Sequence, residues 1–356
     1  MSPEQYKKKN KVIMAVAGSG KTTSLVQKAI DAADEKILFL TYTNENLTNI
    51  KNTFVKETGY VPENVEIKSW FSFLLRDGVR PYHNYLSAGE RANSINFING
   101  SSRSMAALRY IREANTEMFY FDRSRNIYTD KIAQYVCRCN EKSDGKVISR
   151  LEEIYDTVYI DEVQDLAAWD LEILIMLFES KLKVTFVGDP RQVTYSTNQG
   201  AKNNQFRDEK IINFFTDLER RGKCEVINSV NSRRCNQAIC DWANSIYPDL
   251  EASVSANTEI TNHDGIFRIT SAEVPDYIET HHPVILRHNI KTDTLGYPAR
   301  NFGVSKGSTF DRVLIFPTAP IKQFLETGNP DHAGDKAKLY VAVTRARYSV
   351  AFVTDS

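Results

Sequence analysis

The sequence carries no excess of charge of either sign. Lysine plus arginine and aspartate plus glutamate number 45 each among its 356 residues. A chain that attracts nucleic acid through its overall field is usually strongly basic, so this balance excludes that mode of binding. Any site for a polyanion must therefore be local.

The cysteines of the chain lack the spacing of a zinc site. Neither a paired CxxC motif nor a nearby pair of histidines accompanies any of them. Reduced thiols in a cytosolic protein are the simplest interpretation of such a pattern. The five are Cys137, Cys139, Cys224, Cys235 and Cys240. We therefore predict no zinc centre.

Long apolar runs are also absent. The apolar run near the N-terminus is too short for a signal peptide and continues into a glycine-rich loop. No other run approaches the roughly 20 residues that a membrane-spanning helix requires. Internal repeats and low-complexity tracts are missing too. These absences predict a cytoplasmic protein that does not enter a membrane.

An alternation of strand and helix patterns runs along the chain. It begins with KVIMAV, KTTSLVQKAIDAA, KILFLTY and NENLTNIKNTFVKET. Later strand patterns are TVYI, KLKVTFVGD, CEVIN, GIFRI, PVILR, RVLIF and YSVAFV, with helix patterns at 208–221 and near 236–246 and 334–344. This rhythm is typical of parallel α/β sheets, and 356 residues suffice for two domains.

The alternation lapses between residues 76 and 148. This stretch is rich in aromatic residues and arginine, and a helix is predicted over SMAALRYIREAN, residues 104–115. We interpret it as a small, mainly helical insertion in the first domain. The predicted division is 1–75 with 149–218 for the first domain, 76–148 for the insertion and 219–356 for the second domain.

The stretch AVAGSGKTT, residues 15–23, lies between a predicted strand and a predicted helix. Gly18 and Gly20 allow backbone N–H groups to turn around phosphates, and the helix N-terminus adds positive potential. Lys21 reaches the outer phosphates and Thr22 offers a hydroxyl to Mg²⁺. A glycine-rich turn with a chance lysine is the alternative. The flanking strand and helix favour a site for a nucleoside triphosphate.

A dense acidic cluster follows a buried strand at VYIDEVQDL, residues 158–166. A phosphate-binding loop needs a carboxylate at a strand end to hold its metal ion, and Asp161 is the candidate for that role. Glu162, beside it, is placed to polarise the attacking water. The alternative is a solvated acidic turn. The apolar run TVYI argues against that alternative, because it puts the acids at the carboxyl end of a sheet.

A series of short motifs follows in order along nearly the whole chain. They are AVAGSGKTT, FLTYTN, IKSWFSF, DEVQD, FVGDPRQVTY, NSRRCNQAICDWAN, NFGVSKGSTFDRVLIF and LYVAVTRAR. Their order and the elements on which they stand resemble the UvrD/Rep-type superfamily 1 DNA helicases. The resemblance implies an α/β fold with two RecA-like P-loop NTPase domains. It also implies ATP and Mg²⁺ as cofactors and single-stranded DNA as the partner.

The resemblance assigns further residues to ATP hydrolysis. Gln192 would sense the γ-phosphate, and Arg234 and Arg345 would act as arginine fingers that spread transition-state charge. Surface ion pairs are the alternative for the two arginines. The implied nucleotide-binding residues are Gln5, Ala17, Gly18, Ser19, Gly20, Lys21, Thr22, Thr23, Gln164, Arg233 and Gly307.

The resemblance also implies a track for single-stranded DNA. Such a track combines hydroxyl and amide contacts to phosphates with aromatic rings that stack on bases. Core packing is the alternative for Tyr42 and Trp70, since both adjoin apolar strands. The candidates are Thr41, Tyr42, Thr43, Asn44, Ser69, Trp70 and Tyr195.

Three motifs depart from the pattern of the family. Where motif III usually continues with an aromatic residue and an arginine that grip DNA, this chain has Thr197 and Asn198. Motif IV has Arg233 in place of a tyrosine that stacks on adenine, and motif V has Gly303 and Thr309 in place of a histidine and a glutamate. These changes affect base discrimination and DNA grip more than hydrolysis.

The chain also resembles a compact member of the family. Only 306 − 234 = 72 positions separate Arg234 from Lys306, which leaves no room for the usual large accessory domain. Only 356 − 347 = 9 residues follow Arg347, and they are predicted to form a final strand rather than a wedge that separates duplex strands. We therefore expect weak unwinding of long duplexes. The alternative is a wedge in the insertion, built from Tyr120, Phe121 and Arg123.

Two functions remain open from the sequence. The first is an ATP-dependent translocase or helicase on single-stranded DNA, with 3′ to 5′ polarity implied by the family. The second is a DNA-dependent ATPase module that licenses a partner nuclease, for example in phage defence, with little unwinding of its own. The implied partners are single-stranded DNA and a nuclease or another repair or defence protein.

Overall fold

The computed structural model describes residues 9–87, 89, 91–194, 197–198 and 200–354. The chain divides into two compact units. The first comprises Met1–Met14, Thr22–Pro190 and Tyr195–Ile227. The second comprises Ala15–Lys21, Arg191–Thr194 and Asn228–Ser356.

Strands and α-helices alternate through the first half of the chain. They are β1 (Asn10–Ala15), α1 (Lys21–Asp31), β2 (Ile37–Thr41), α2 (Asn44–Thr58), β3 (Val65–Ser69), α3 (Trp70–Phe73), β4 (Ile95–Asn96), α4 (Thr116–Tyr120), β5 (Ile127–Tyr128), α5 (Ile132–Lys142), α6 (Lys146–Ile154), β6 (Thr157–Ile160), α7 (Asp170–Glu179), β7 (Lys183–Gly188), α8 (Ile211–Arg220) and β8 (Glu225–Ser229). A π-helical segment, Leu74–Val79, follows α3.

The alternation continues in the second half. Its elements are β9 (Asn231–Ser232), α9 (Gln237–Asn244), β10 (Val254–Ser255), β11 (Gly265–Thr270), α10 (Val274–His281), β12 (Val284–Arg287), β13 (Arg300–Asn301), β14 (Phe310–Phe316), α11 (Ala319–Thr327), α12 (Lys336–Val343) and β15 (Ala346–Thr354). Single 3₁₀ turns lie at His83–Tyr85, Ser102–Ser104, Val163–Asp165, Pro190–Gln192, Asn204–Phe206, Asp208–Lys210, Gly303–Ser305 and Pro330–His332.

The main sheet has six strands in the order β3-β2-β6-β7-β1-β8. The pairs β2·β3, β2·β6, β6·β7 and β1·β7 are all parallel. β2, with the sequence ILFLT, is buried along its whole length, as expected of a strand covered on both faces. Thr41 is in register with Ser69, so β2 and β3 end at one edge of the sheet. Ligands bind beyond that edge in doubly wound folds.

The second sheet has five parallel strands in the order β11-β15-β14-β12-β13. Its central strands β14 and β15 carry the apolar runs RVLIF and YSVAFV, whose middle residues are buried. Both sheets confirm the predicted fold class of parallel α/β layers. No helix among the described residues is long and apolar enough to cross a membrane.

The predicted helix over residues 104–115 is wrong. The structure has a 3₁₀ turn at Ser102–Ser104 and then consecutive turns without an α-helix. Most side chains of this stretch are exposed, and Tyr110 is 82% exposed. An amphipathic helix gains its stability mainly by packing an apolar face, and this stretch has no such face against the core.

The rings proposed as an alternative wedge in the insertion are buried. Tyr120 and Phe121 are 1% and 4% exposed, and both pack edge-on against Tyr135. A wedge must present its rings to the base pairs at a fork. The structure therefore contradicts that alternative for these two residues.

Candidate functional site

The loop between β1 and α1 has a backbone that only glycine adopts easily. Gly18 and Gly20 have φ of 75° and 82°, in the left-handed region that costs glycine nothing. Within the second unit, a Cβ on Gly18 would lie 2.5 Å from the Cβ of Arg234 and 2.8 Å from Oγ of Ser232. The same loop is held by a hydrogen bond from Ser232 Oγ to the carbonyl oxygen of Ala17, at 2.7 Å.

The loop also presents a polar atom that the protein does not satisfy. Oγ of Ser19 is buried and has no hydrogen-bond partner among the described residues. A buried hydroxyl usually has a hydrogen-bond partner, so an unsatisfied one indicates a place where a ligand can bind. A phosphate oxygen would satisfy the group, which agrees with the nucleotide site predicted here.

Thr22 and Asp161 meet in the first unit. Oγ1 of Thr22 donates a hydrogen bond to Oδ2 of Asp161 at 2.6 Å, and Oδ1 of Asp161 accepts one from the backbone N–H of Glu162 at 2.9 Å. Mg²⁺ prefers oxygen ligands such as hydroxyl and carboxylate groups, and water and substrate phosphates complete its coordination shell. The pair therefore fits the predicted ion. The described residues contain no group of three or more His, Cys, Asp or Glu side chains that could hold a metal ion by themselves.

Glu162 is held by an unusual backbone and by one amide side chain. Its φ of 60° and ψ of 40° place a non-glycine residue in the left-handed region. Its carboxylate accepts a hydrogen bond from Nε2 of Gln164, whose Oε1 accepts one from the backbone N–H of Asp189 at 3.1 Å. Gln164 therefore connects the end of β6 to the end of β7.

Gly188, the last residue of β7, makes this connection possible. A Cβ at this position would lie 2.4 Å from Oε1 of Gln164 and 3.0 Å from Cγ1 of Val163. The amide could not reach the strand past such an atom. Gln164, which the resemblance places among the nucleotide-binding residues, is thus held between Glu162 and Asp189 within the first unit.

Asp170 joins the segment after β3 to residue 197 of the motif III stretch. Oδ1 of Asp170 accepts a hydrogen bond from Nε1 of Trp70 at 2.8 Å, and Oδ2 accepts one from the hydroxyl of Thr197. Thr197 also accepts a hydrogen bond from the backbone N–H of Ala167 and donates its own N–H to the carbonyl oxygen of Asp165. Sequence reasoning missed Asp170. The signal was the first of two acids inside the mainly apolar stretch LAAWDLEILIM.

The network encloses Trp70, which is 1% exposed. From the sequence, this ring was predicted either to stack on a base or to pack in the core, and the structure places it in the core of the first unit. Thr197 and Asn198 are also buried, at 5% and 2% exposure. The motif III positions that depart from the family therefore serve internal contacts.

The charge of Asp170 predicts a dependence of stability on pH. Burial raises the pKa of Asp170 to about 6, although hydrogen bonds from Thr197 and Trp70 favour the carboxylate. The native state thus binds a proton more tightly than the unfolded chain, so stability falls as pH rises from about 4 through 6. Relative to Asp170→Asn, the wild type should lose about 2 kcal/mol of unfolding free energy over this range.

Urea unfolding at several pH values between 4 and 7 measures this difference. Asp34→Asn, at an exposed carboxylate, is the matched control and should leave the pH profile of the wild type unchanged. Parallel profiles for the wild type and Asp170→Asn would contradict the prediction.

Gln192 lies between two cationic side chains of the second unit. Nη2 of Arg345 donates to Oε1 of Gln192 at 3.2 Å, and Nζ of Lys306 donates to the carbonyl oxygen of Gln192 at 3.1 Å. All three residues are at most 5% exposed. The structure thus brings the predicted phosphate sensor to one predicted arginine finger. Lys306 was missed as a site residue, although it stands inside the motif V stretch.

Arg345 is also fixed to the backbone. Its Nε donates to the carbonyl oxygen of Val341 at 3.0 Å, and its Nη1 donates to that of Ser308 at 3.3 Å. Nη1 of the partly buried Arg234 donates to the carbonyl oxygen of Thr344, the residue before Arg345, at 3.0 Å. These bonds attach both guanidinium groups to backbone carbonyl oxygens of the second unit.

The other predicted nucleotide-binding residues of this unit lie as follows. Arg233 is exposed, and its Nη1 lies 4.0 Å from the position that a Cβ on Gly20 would take. Its backbone N–H donates to the carbonyl oxygen of Gly18 at 2.9 Å. Gly307 has φ of 91°, which explains a glycine after Lys306.

The predicted DNA-binding residues lie where β2 and β3 end. Oγ of Ser69 and Oγ1 of Thr43 accept hydrogen bonds from backbone N–H groups and so cap α3 and α2. Tyr42 is partly buried, with its ring edge-on to Phe71 at 5.8 Å. Asn44 is exposed, whereas Thr41 is buried and its hydroxyl has no hydrogen-bond partner within the described part of the chain. Two further predicted residues, Gln5 and Tyr195, lie outside the described residues.

Two protein families match the chain. The family described as an AAA domain matches residues 3–198, and the one described as the viral superfamily 1 RNA helicase core domain matches residues 111–354. A solved structure of the arterivirus nonstructural protein 10 helicase superimposes with a TM-score of 0.50 at 14% identity. It covers 99% of this chain and 61% of that one. At this identity the likeness shows a shared fold.

Two curated proteins are similar in sequence. The Gabija protein GajB of Bacillus cereus is 25% identical over 274 residues, which is 74% of this chain and 52% of the relative. The RecBCD enzyme subunit RecB of Borreliella burgdorferi is 27% identical over 109 residues, 28% of this chain and 9% of the relative. The chain thus spans about half the length, or less, of the curated relatives it matches.

Proposed function

Because the chain belongs to the superfamily 1 helicases, we propose that it is an ATP-dependent motor on single-stranded DNA. More finely, it is of the UvrD/Rep type and moves in the 3′ to 5′ direction. Its RecA-like domains comprise 1–75 with 149–218, and 219–356, with 76–148 inserted. The observation that carries the proposal is the contact of Thr22 with Asp161 next to the held carboxylate of Glu162.

Each residue of the ATP site has a distinct task. Lys21 and the backbone of 17–20 bind the phosphates, and Thr22 and Asp161 hold the magnesium ion, which neutralises phosphate charge when bound. Glu162 orients and deprotonates the water that attacks the γ-phosphorus, while the bond to the β-phosphate oxygen breaks. Gln192, Arg234 and Arg345 stabilise the charge on the transferred group.

The DNA track uses the ends of β2 and β3. Tyr42 stacks on a base, while Thr43, Asn44 and Ser69 contact phosphates. Thr41 was also predicted to contact DNA, but at 1% exposure it is too buried to do so. The buried ring of Trp70 supports this surface from below through Asp170 rather than by stacking. Stacking and phosphate contacts do not depend on the base sequence, which suits a motor that must move along any strand.

A second candidate is a regulatory ATPase that licenses a nuclease or another repair or defence protein. The buried positions of Thr197 and Asn198 favour it, because they remove two residues that could grip DNA. The similarity to a protein named as an enzyme subunit also suits a partner-dependent role. We place both candidates in the cytoplasm, where the five cysteines, none in a disulfide in the described structure, stay reduced.

A motor and a regulatory ATPase differ in mechanical output. We expect single-stranded DNA to stimulate ATP hydrolysis, and the protein to displace streptavidin from the 5′ end of a biotinylated strand. Streptavidin at the 3′ end should stay bound, and a tailed long duplex should be separated only weakly by this chain alone. Phosphate release and gel-based displacement measure these outputs.

Controls distinguish the two candidate functions from one another and DNA from RNA as the bound strand. Single-stranded RNA of the same sequence tests whether the strand must be DNA. Stimulated hydrolysis without displacement from either end would favour the regulatory ATPase. Hydrolysis that no nucleic acid stimulates would contradict both.

A further inference from the structure

Asn198 connects the motif III region to the insertion. Its Nδ2 donates to the carbonyl oxygen of Asp130 at 3.1 Å, and its Oδ1 accepts from the backbone N–H of Gly200 at 2.8 Å. Asp130 lies two residues after the end of β5. Asn198, which stands where the family has a residue that grips DNA, thus positions the strand pair β4·β5 instead.

This strand pair holds the backbone on both sides of Phe97. Oγ1 of Thr129 donates to the carbonyl oxygen of Asn96 at 2.7 Å and accepts from the N–H of Ile98 at 3.2 Å. Nδ2 of Asn96 also donates to the carboxylate of Asp122 at 2.9 Å. Phe97 therefore stands on a fixed segment.

The ring of Phe97 is 70% exposed although it touches the aromatic core. It lies edge-on to Phe71, with centroids 5.6 Å apart and planes at 82°. Phe71 in turn lies edge-on to Tyr42 at 5.8 Å. The three rings form a ladder that starts just after β2 and β3 and ends in solvent.

We propose that Phe97 stacks on a base of bound single-stranded DNA and supplies the aromatic grip that motif III lacks. The proposal rests on the proposed function and names a contact of its DNA track. A scattered exposed phenylalanine on a protein surface needs no partner. This one is fixed from both flanks and continues a ladder whose first ring, Tyr42, already belongs to the proposed track. A base offers the flat apolar face that such a ring accepts.

Phe97→Ala should weaken binding to an oligodeoxythymidylate by about 5- to 150-fold. ATP hydrolysis without DNA and the thermal midpoint should remain those of the wild type, because most of the ring is exposed. Phe97→Trp should restore binding. Tyr110→Ala, which removes an exposed ring of the same insertion outside the ladder, is the matched control and should bind normally.

An abasic strand of equal length tests stacking directly. The wild type and Phe97→Ala should bind that strand equally, since it offers no base to stack on. Equal binding of both proteins to the oligodeoxythymidylate, or an equal loss on the abasic strand, would overturn the inference while leaving the proposed function intact. A change in self-association of Phe97→Ala without a change in DNA binding would assign the ring to a protein contact instead. Failure of the wild type to bind any single strand would reject the proposed function itself.

Discussion

Replacing Glu162 with glutamine should leave ATP binding intact and reduce turnover by about 10²- to 10⁴-fold, the usual cost of losing a positioned general base. Glutamine keeps the length of the side chain and an oxygen that can accept the hydrogen bond from Gln164. The loop proposed to bind the phosphates lies elsewhere in the chain and is unchanged. The variant therefore removes the proposed base and little else.

Two measurements separate binding from turnover in this variant. Titration with a fluorescent ATP analogue should give an affinity close to that of the wild type, whereas phosphate release in the presence of single-stranded DNA should fall. Lys21→Ala is the comparison, because it should lose binding and turnover together. Turnover at the level of the wild type in Glu162→Gln would show that Glu162 is not the base.

Arg345→Ala should reduce hydrolysis by about 10³-fold or more while ATP affinity changes little. An arginine finger acts mainly on charge that develops in the transition state, and its removal typically costs 10³ to 10⁵ in rate. Because Arg345 also donates to the carbonyl oxygens of Val341 and Ser308, its loss has a structural cost too. Arg345→Lys keeps the charge but not the forked geometry, so it should remain folded and still be slow.

Arg347→Ala is the matched control for this prediction. Arg347 lies two residues further along and forms partly exposed ion pairs with Glu259 and Asp311. The Arg347→Ala variant should hydrolyse ATP at the rate of the wild type. Thermal unfolding of all variants identifies any that fail to fold. If Arg345→Lys lost affinity and rate to the same extent, Arg345 would be an ordinary ligand of the bound phosphate.

Local signals accounted for the elements that the sequence predicted well. The helix Asn44–Thr58 was predicted with its observed bounds, because Thr43 caps its start and Gly59, with φ of 85°, ends it. Apolar runs predicted nine of the eleven strands in the two main sheets, whereas β3 and β13 were not predicted as strands. Such signals lie within a few residues of the element that they define.

Long-range packing accounted for what the sequence did not reveal. Whether Trp70 stacks on a base or lies in the core depends on Asp170, 100 positions away in the chain. The stretch 104–115 has an acceptable helical pattern, but no surface of the core receives it. The link from Gln164 to Asp189 depends on the missing Cβ of Gly188. None of these partners can be identified from spacing alone.

The left-handed backbone of Glu162 sets a limit on how stable this protein can become while it stays active. A non-glycine residue in that conformation costs on the order of 1–2 kcal/mol. Glycine or asparagine would relieve the strain at this position, but neither carries a carboxylate. With Glu162 as the proposed base, stability and hydrolysis therefore oppose one another at this residue, and selection for hydrolysis would keep the less stable choice.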